Sequence, residues 1–408
     1  MSVKEYPFKV GVISDKSAAI TDDGIWVSSG IGRLVEAISD RVTTVTLAVS
    51  RVSSRAAFHD CFWPHNTIHV NFLPELSSNL QGMWKGRECR RVVRQIEDQS
   101  DVVIVQLPFA APTALGSPQK PRVYNICADI AAITKSSTYY RGLRKIAAVT
   151  AACGYDRFQR YLVQQPRARV VTHGEQLLKW YGNPPGRAIV SSTIREQEIA
   201  SYSDQRAANS PFRVLFVGYL RYEKGIDLLL EAFVEFHRLF PHSELCLVGG
   251  NDHVDHGLME TINDFRKSLP NPGTISMTGM VAFGPPLFQC LANADVLVIA
   301  SRSEGTPRVL VEARAFGCPV IATRVGGVPF SVEDGVDGLL VEPNSSAALC
   351  RALERLAGDR SLRNRLVENG YRRASQTTVE QYAVHLLEEA QALLPATGGV
   401  AVSPMDAI

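Results

Sequence analysis

The stretch VLVIASRSEGTPRVLVEARAFGCPVIATRVGGVPFSVEDGVDGLLVEP, Val296 to Pro343, decides the fold. Its apolar run Val296–Ala300 has the length of a buried strand, and Ser301–Thr306 forms the polar loop at the carboxyl end. Thr306 can cap the helix that follows, and Pro307 suits a first helical position, where no N–H is needed. The pattern predicts a helix over Pro307–Phe316, then strands at Val320–Thr323 and Leu339–Val341. Strand, loop, helix, strand is the repeating unit of a parallel sheet covered on both faces.

The same alternation extends outward. Upstream lie a strand at Arg213–Val217, a helix at Ile226–Phe240, and strands at Glu244–Val248 and Thr274–Met277. Leu229, Leu230, Phe233 and Phe236 recur at helical spacing, as on a core-facing helix. The first half predicts strands at Phe8–Ser14, Thr43–Val49, Val102–Gln106 and Arg122–Ile126. A polar loop, Thr21–Gly32, leads to a helix at Arg33–Ser39, and Arg87–Gln99 reads as a further helix. Arg195–Pro211 is polar and without apolar periodicity, which marks a linker. A helix at Val379–Leu394 closes the chain, and Pro395–Ile408 reads as a frayed tail.

A chain of 408 residues exceeds one hydrophobic core. Two doubly wound α/β domains are therefore expected: residues 1–195, a linker at 196–211, and residues 212–373. Residues 374–395 form a helix returning towards the first domain, and residues 396–408 a flexible tail. The linker and Ala374–Val379 are the hinge candidates. Open parallel sheets bind ligands beyond the carboxyl ends of their strands, at the switch point. Two of them facing each other across a central cleft can hold a donor on one side and an acceptor on the other.

Composition narrows the function classes. Hydrophobic residues at 45% and charged residues at 21% are those of a soluble globular protein. No apolar run approaches the ~18 residues of a membrane span. The N-terminus starts a strand almost at once and lacks the apolar core of a signal peptide, so a cytoplasmic location is expected. The eight cysteines are scattered with no Cys-x-x-Cys pair, which fits reduced, packed thiols. The net charge of +2 divides into +10 over residues 1–195 and −8 over the rest. Basic residues gather at Lys85, Arg87, Arg90, Arg91 and Arg94, and at Arg141, Arg144, Lys145, Arg157 and Arg160. They form either a solvated face or a field that concentrates anionic partners, such as an anionic membrane surface. They are not interleaved with a nucleic-acid-binding motif, so no nucleic-acid partner is expected.

The free N–H groups of the helix after Thr306, with its dipole, make an anion site suited to a diphosphate. Gly305 lets a ligand approach the backbone closely. Glu304 and Glu312 are then placed to accept hydrogen bonds from sugar or ribose hydroxyls. The alternative is a helical pair of Glu312 with Arg308 and an ordinary loop carboxylate at Glu304.

This segment closely resembles the signature of glycosyltransferase family four, retaining enzymes with two Rossmann-like domains facing a central cleft (GT-B). The Glu-x7-Glu pair in EGTPRVLVE, then GCPVIATRVGGVP and EDGVDGLLVEP, carry the resemblance. FVGYLRYEKGIDLLLEAF, LCLVGG and ISMTGMV precede them in the family's order. The resemblance is strong over Arg213–Pro343 and architectural before it. It implies that Glu312 binds the ribose and Glu304 the transferred sugar. The backbone of Gly305, Thr306, Pro307, Arg308 and Val309 then holds sugar and phosphate oxygens. Lys224 neutralises the departing diphosphate, and base recognition falls near Gly279–Val281, at Met280.

Two departures qualify the likeness. The family's arginine after the first glycine is Tyr219 here, and Arg221 is the substitute. The family's histidine facing the donor sugar is missing from VYNICADI, Val123–Ile130. Asp129 is the catalytic candidate there, with Asn125 beside it, while Cys127 packs and His173 reads as a loop or cap residue. In WVSSGIGR, Ser29, Gly30 and Gly32 either bring backbone amides to the donor phosphates or make a tight turn. With no Asp-x-Asp motif or His/Cys ligand cluster, neither a metal nor another cofactor is expected. The implied activity is transfer of a hexose, with retention, from a nucleotide-diphosphate sugar to a glycan or lipid-linked acceptor in surface or exopolysaccharide biosynthesis. The rivals are a nucleotide-sugar epimerase or phosphorylase on the same fold, and a catalytically silent nucleotide-sugar-binding subunit of a polysaccharide assembly complex.

Overall fold

The computed structural model describes residues 6–56, 58–74, 86–108, 116–136, 142–199, 210–250 and 256–395. Lys85, Arg141, the linker's residues 200–209 and the tail at 396–408 lie outside the described residues.

Two sheets organise the chain. The first contains β1 (Tyr6–Thr21), β2 (Gly24–Val27), β3 (Val42–Val52), β4 (Cys61–Pro64), β5 (His69–Leu73), β6 (Val102–Leu107), β7 (Arg122–Ile126), β8 (Ala168–His173) and β9 (Gly186–Ile189). Its parallel strands stand in the order β5-β3-β1-β6-β7-β8-β9. The second contains β10 (Phe212–Val217), β11 (Ser243–Val248), β12 (Ile275–Gly279), β13 (Val296–Ile299), β14 (Val320–Thr323) and β15 (Leu339–Val341). Its strands are all parallel, in the order β12-β11-β10-β13-β14-β15. Both sheets wind outward from their first strand in two directions, so each is doubly wound. The switch points lie at β1/β6 and β10/β13.

Alternation along each strand feeds two cores. In β10, Val214 and Phe216 join the apolar face of the helix Ile226–Leu239, while Leu215 packs with Leu310 and Ala313 of the helix Val309–Ala315. Near the C-terminus the helix Val379–Gln391 crosses to the first sheet. There Tyr382, Leu386 and Leu387 pack with Ile31, Leu34 and Val171. Thr378 caps that helix, its hydroxyl accepting from the Gln381 amide at 3.3 Å.

The first domain departs from expectation at its start. β1 does not stop at Ser14 but continues to Thr21 and turns back into antiparallel β2, which in turn pairs with β4. The register against β3 shifts between Ile13 and Ser17, a bulge that presents Asp15 and Lys16 at the carboxyl end of the β1/β6 pair. The expected loop Thr21–Gly32 is thus mostly hairpin, and the helix begins at Ser29 rather than Arg33. Gly32 lies inside that helix because a Cβ there would sit 2.5 Å from the Cys61 sulfur; the glycine sets the packing distance to β4.

Candidate active site

The carboxyl ends of both sheets open on one cleft of about 840 Å³. From the first domain it is lined by the β1 bulge, the start of the helix Ser29–Ser39, and the ends of β6, β7 and β8. From the second it is lined by the turns after β10, β11 and β12 and by Thr306–Arg308 with Glu312.

The loop after β13 brings together residues far apart in sequence. Lys224, in the short turn Tyr222–Lys224 after β10, donates to Glu304 Oε1 at 2.6 Å, and Ser301 Oγ donates to the same oxygen at 2.7 Å. Thr323 Oγ1 fixes the loop by donating to the Ser301 carbonyl at 2.6 Å. The Gly327 amide donates to the Gly305 carbonyl at 2.9 Å. Gly326 has a φ of +52°, and a Cβ there would lie 1.8 Å from the Glu304 carbonyl oxygen. Residue 326 must be glycine for Glu304 to stand where it does.

The helix start differs from the sequence reading. It begins at Val309, with Arg308 rather than Thr306 in the capping position, so Pro307 precedes the helix. Thr306 instead spends its hydroxyl on the His173 carbonyl at the end of β8, at 3.0 Å. The amides of Leu310, Val311 and Glu312 bond back to the carbonyls of Pro307 and Arg308. They are therefore turned into the helix, and the anion site expected at its N-terminus is reduced. Arg308 supplies positive charge in that place. Its guanidinium crosses the cleft to the start of the helix Ser29–Ser39, where a Cβ on Gly30 would lie 2.4 Å from Nη1. Among the described residues Arg308 forms no ion pair with Glu312. Glu312 is 7% exposed and accepts a 2.8 Å hydrogen bond from Thr193 Oγ1. Burial pushes its pKa up, against the pull of Arg308, of that hydrogen bond and of Arg33.

Other sequence candidates are dispersed. Met280 is 55% exposed and lines the cleft. Arg221 lies 4.8 Å over the Tyr219 ring and 3.9 Å from Glu223, and it is Tyr219 that lines the cleft. Asp129 departs most from its expected role. Its Oδ1 accepts from the Ala132 amide at 2.8 Å, heading the helix Ile130–Ser136, and it is not among the cleft-lining residues. Gly30 lines the cleft, but the Ser29 amide beside it is already paired. Asp60 Oδ1 already takes the Ser29 N–H at 2.6 Å, and Oδ2 the Ser29 hydroxyl at 3.2 Å.

Sequence reasoning missed the residues that stand beside the loop after β13 from the first-domain side. His173 ends β8 and lines the cleft, its Nε2 3.0 Å from Tyr382 Oη and 3.7 Å from Cys127 Sγ. Burial holds its pKa down to about 3, so the ring is neutral. The same burial pushes the Cys127 thiol up to about 11, and Cys127 lines the cleft rather than only packing. The signal for His173 was its place directly after the apolar run ARVVT, at a strand's carboxyl end. For Tyr382, on the returning helix, the sequence held none. Among the described residues no group of three or more His, Cys, Asp or Glu side chains is placed to share a metal ion.

Comparison with known proteins follows this division. Residues 200–373 match the model for glycosyl transferases group 1. The chain is 31% identical over 175 residues to the D-inositol 3-phosphate glycosyltransferase of Corynebacterium kroppenstedtii, covering 42% of this chain and 39% of that protein. It is 29% identical over 177 residues to LpsE, a lipopolysaccharide core biosynthesis glycosyltransferase of Rhizobium meliloti, covering 43% and 47%. These matches span about half or less of each curated relative. The crystal structure of Anabaena HepE in complex with UDP superposes with a TM-score of 0.68 at 19% identity, over 95% of this chain and 100% of that one. HepE in complex with UDP-glucose gives 0.66. The chain therefore has the two-domain GT-B fold, and its second domain is the part that matches the group 1 glycosyl transferases.

Proposed function

We propose that the protein is a retaining glycosyltransferase that moves a hexose from a nucleotide-diphosphate sugar to a glycan or lipid-linked acceptor, in surface or exported polysaccharide assembly. The observation that carries this reading is the Lys224–Glu304 pair at the β10/β13 switch point, inside the segment that matches group 1. The bond from the anomeric carbon to the diphosphate breaks as the bond to the acceptor oxygen forms, and charge develops on the leaving phosphate. Lys224 and Arg308 supply cations that stabilise it. Glu304 accepts from hydroxyls of the transferred sugar, and Glu312 from the ribose. The leaving phosphate takes the acceptor's proton on the same face of the sugar, which gives retention. No metal is needed for this charge balance; unchanged turnover in EDTA is the expected result.

The complexes of HepE with UDP and UDP-glucose make a UDP-hexose the first donor to try. An acceptor at an anionic membrane surface fits the basic first domain. There Arg87, Arg90, Arg91 and Arg94 are exposed along the helix Gly86–Gln99. Leu143 and Ile146 stand exposed beside Arg144 on another helix. No described helix is long and apolar enough to cross a membrane, so peripheral contact from the cytoplasmic side is the form proposed. Flotation with anionic against neutral vesicles tests it, and equal binding at low salt removes it. The main test is a screen of UDP-, GDP- and ADP-sugars by thermal unfolding, then a transfer assay with the best donor. A donor at a hundred times its Kd stabilises by ~2.7 kcal/mol. No stabilisation by any of the three classes, with no transfer, refutes the reading; a donor epimerised without nucleotide release favours an epimerase.

A further inference from the structure

The segment that leaves β9 and crosses towards the second domain, Ser191–Ile194, is polar yet fully buried: all four residues are at most 2% exposed. It is pinned on both sides. Arg33 Nη1 donates to the Thr193 carbonyl at 3.0 Å, and the Val379 amide donates to the Ile194 carbonyl at 2.8 Å. Ser192 Oγ accepts from the Ile194 amide at 3.0 Å. Two hydroxyls remain. Thr193 donates to Glu312 Oε1 at 2.8 Å, so a side chain of the first domain holds a carboxylate of the second. Ser191, 1% exposed, lines the cleft with Arg308 and Glu312, and among the described residues its Oγ has no hydrogen-bond partner. Burying a hydroxyl unpaired is unfavourable. Such a group at a cleft wall points to a ligand that completes it.

We propose that this crossing segment is a first-domain wall of the donor site: Thr193 is the positioning residue for Glu312, and Ser191 gives its hydroxyl to the bound nucleotide sugar. The inference rests on the reading of Glu312 as a donor-binding carboxylate. A single fixed hydrogen bond selects which Glu312 oxygen faces the ligand and pulls its pKa down against the push of burial. The charged groups facing Glu312 are Arg308 and Arg33, from the donor loop and from the helix Ser29–Ser39; His173, also near Arg308, is neutral. Because Thr193 belongs to the first domain, donor binding and the relative placement of the domains are coupled through this contact.

The test is titration calorimetry of the full chain with UDP-glucose between pH 5 and 8, on the wild type and on Thr193→Val, Thr193→Ser, Ser191→Ala and Glu312→Gln. Thr193→Val keeps the shape and removes the donor, so UDP-glucose affinity falls about tenfold at neutral pH, as expected for a hydrogen bond to a charged group. The acid limb of the affinity profile also moves to higher pH, a change that a packing defect alone does not produce. Thr193→Ser restores both, and covers the case in which valine disturbs folding. Ser191→Ala weakens UDP-glucose binding with no shift of the acid limb. Wild-type affinity and acid limb in Thr193→Val, or a Thr193→Ser no better than Thr193→Val, overturns the positioning role. Unchanged affinity in Ser191→Ala overturns the contact. If Glu312→Gln leaves binding unchanged, or the wild type binds none of the UDP-, GDP- and ADP-sugars, the donor-site reading itself fails and this inference with it.

Discussion

Replacing Gly326 with alanine tests how the donor loop is held. Two penalties are separable there. Gly326 has a φ of +52°, and a non-glycine residue in that region costs about 1–2 kcal/mol. The new Cβ would also lie 1.8 Å from the Glu304 carbonyl oxygen. Atoms in contact sit about 3.5 Å apart, so the loop carrying Glu304 must retreat by more than about 1 Å. A displacement of that size costs about 100-fold in rate when it moves a group off the reacting atoms. Gly335 is the control: its φ is +74°, and nothing lies within 4 Å of its Cβ position. Gly335→Ala therefore reports backbone strain alone. Thermal unfolding and steady-state transfer with the best donor are measured for both. Both variants lose stability, Gly326→Ala by about 1–3 kcal/mol more from the forced shift, and only Gly326→Ala loses about 100-fold in kcat. Equal, near-wild-type turnover in both variants refutes the claim that the Gly326 contact positions Glu304.

Three further outcomes follow from the same geometry. Lys224→Gln, which keeps a hydrogen-bond donor but removes the cation beside Glu304, lowers kcat about 100- to 1,000-fold in the transfer assay. Arg314→Leu removes the fully buried partner of Asp337, 2.8 Å away and itself only 4% exposed, and destabilises by about 3–5 kcal/mol in denaturant unfolding. His173 is buried neutral with its pKa lowered from 6.5 to about 3, so between those values the unfolded chain binds a proton that the folded chain does not. The stability present above pH 6.5 is thus lost as pH falls towards 3, and His173→Asn makes the stability–pH curve shallower in that window.

The second domain was legible because its strands are short and mostly apolar, with β13 and β14 buried throughout. Val320–Thr323 and Leu339–Val341 stand where the apolar runs placed them, and Val296–Ala300 is one residue longer than the observed strand. The first domain was read less well for physical reasons. The second half of β1 is DKSAAIT, polar and small, with no alternation to mark it as a strand; hairpin pairing with β2 stabilises it instead. Gly30 and Gly32 read as loop, yet they are helical, and their missing side chains admit Arg308 and Cys61. Glu304 and Lys224 were marked by motif and spacing, and the structure pairs them with each other, although neither is among the residues that line the cleft. Thr306 and Ser29 were read by local rules, but their polar groups go to tertiary partners, the His173 carbonyl and Asp60, while Asp129 is taken by the start of the helix that follows it. Ser191 and Tyr382 reach the cleft, and Thr193 reaches Glu312, only through the crossing of the chain between domains, which no local pattern encodes.

The central claim is that this cleft transfers a sugar and that Glu304 takes part. The most direct measurement is nucleotide release and glycosylated product from the donor that stabilises the chain most, for the wild type against Glu304→Ala at matched folded fraction. The account predicts transfer by the wild type and a loss of about 100-fold or more in the variant, since a group acting on the reacting centre is removed. Wild-type transfer and donor hydrolysis no faster than those of Glu304→Ala would contradict it.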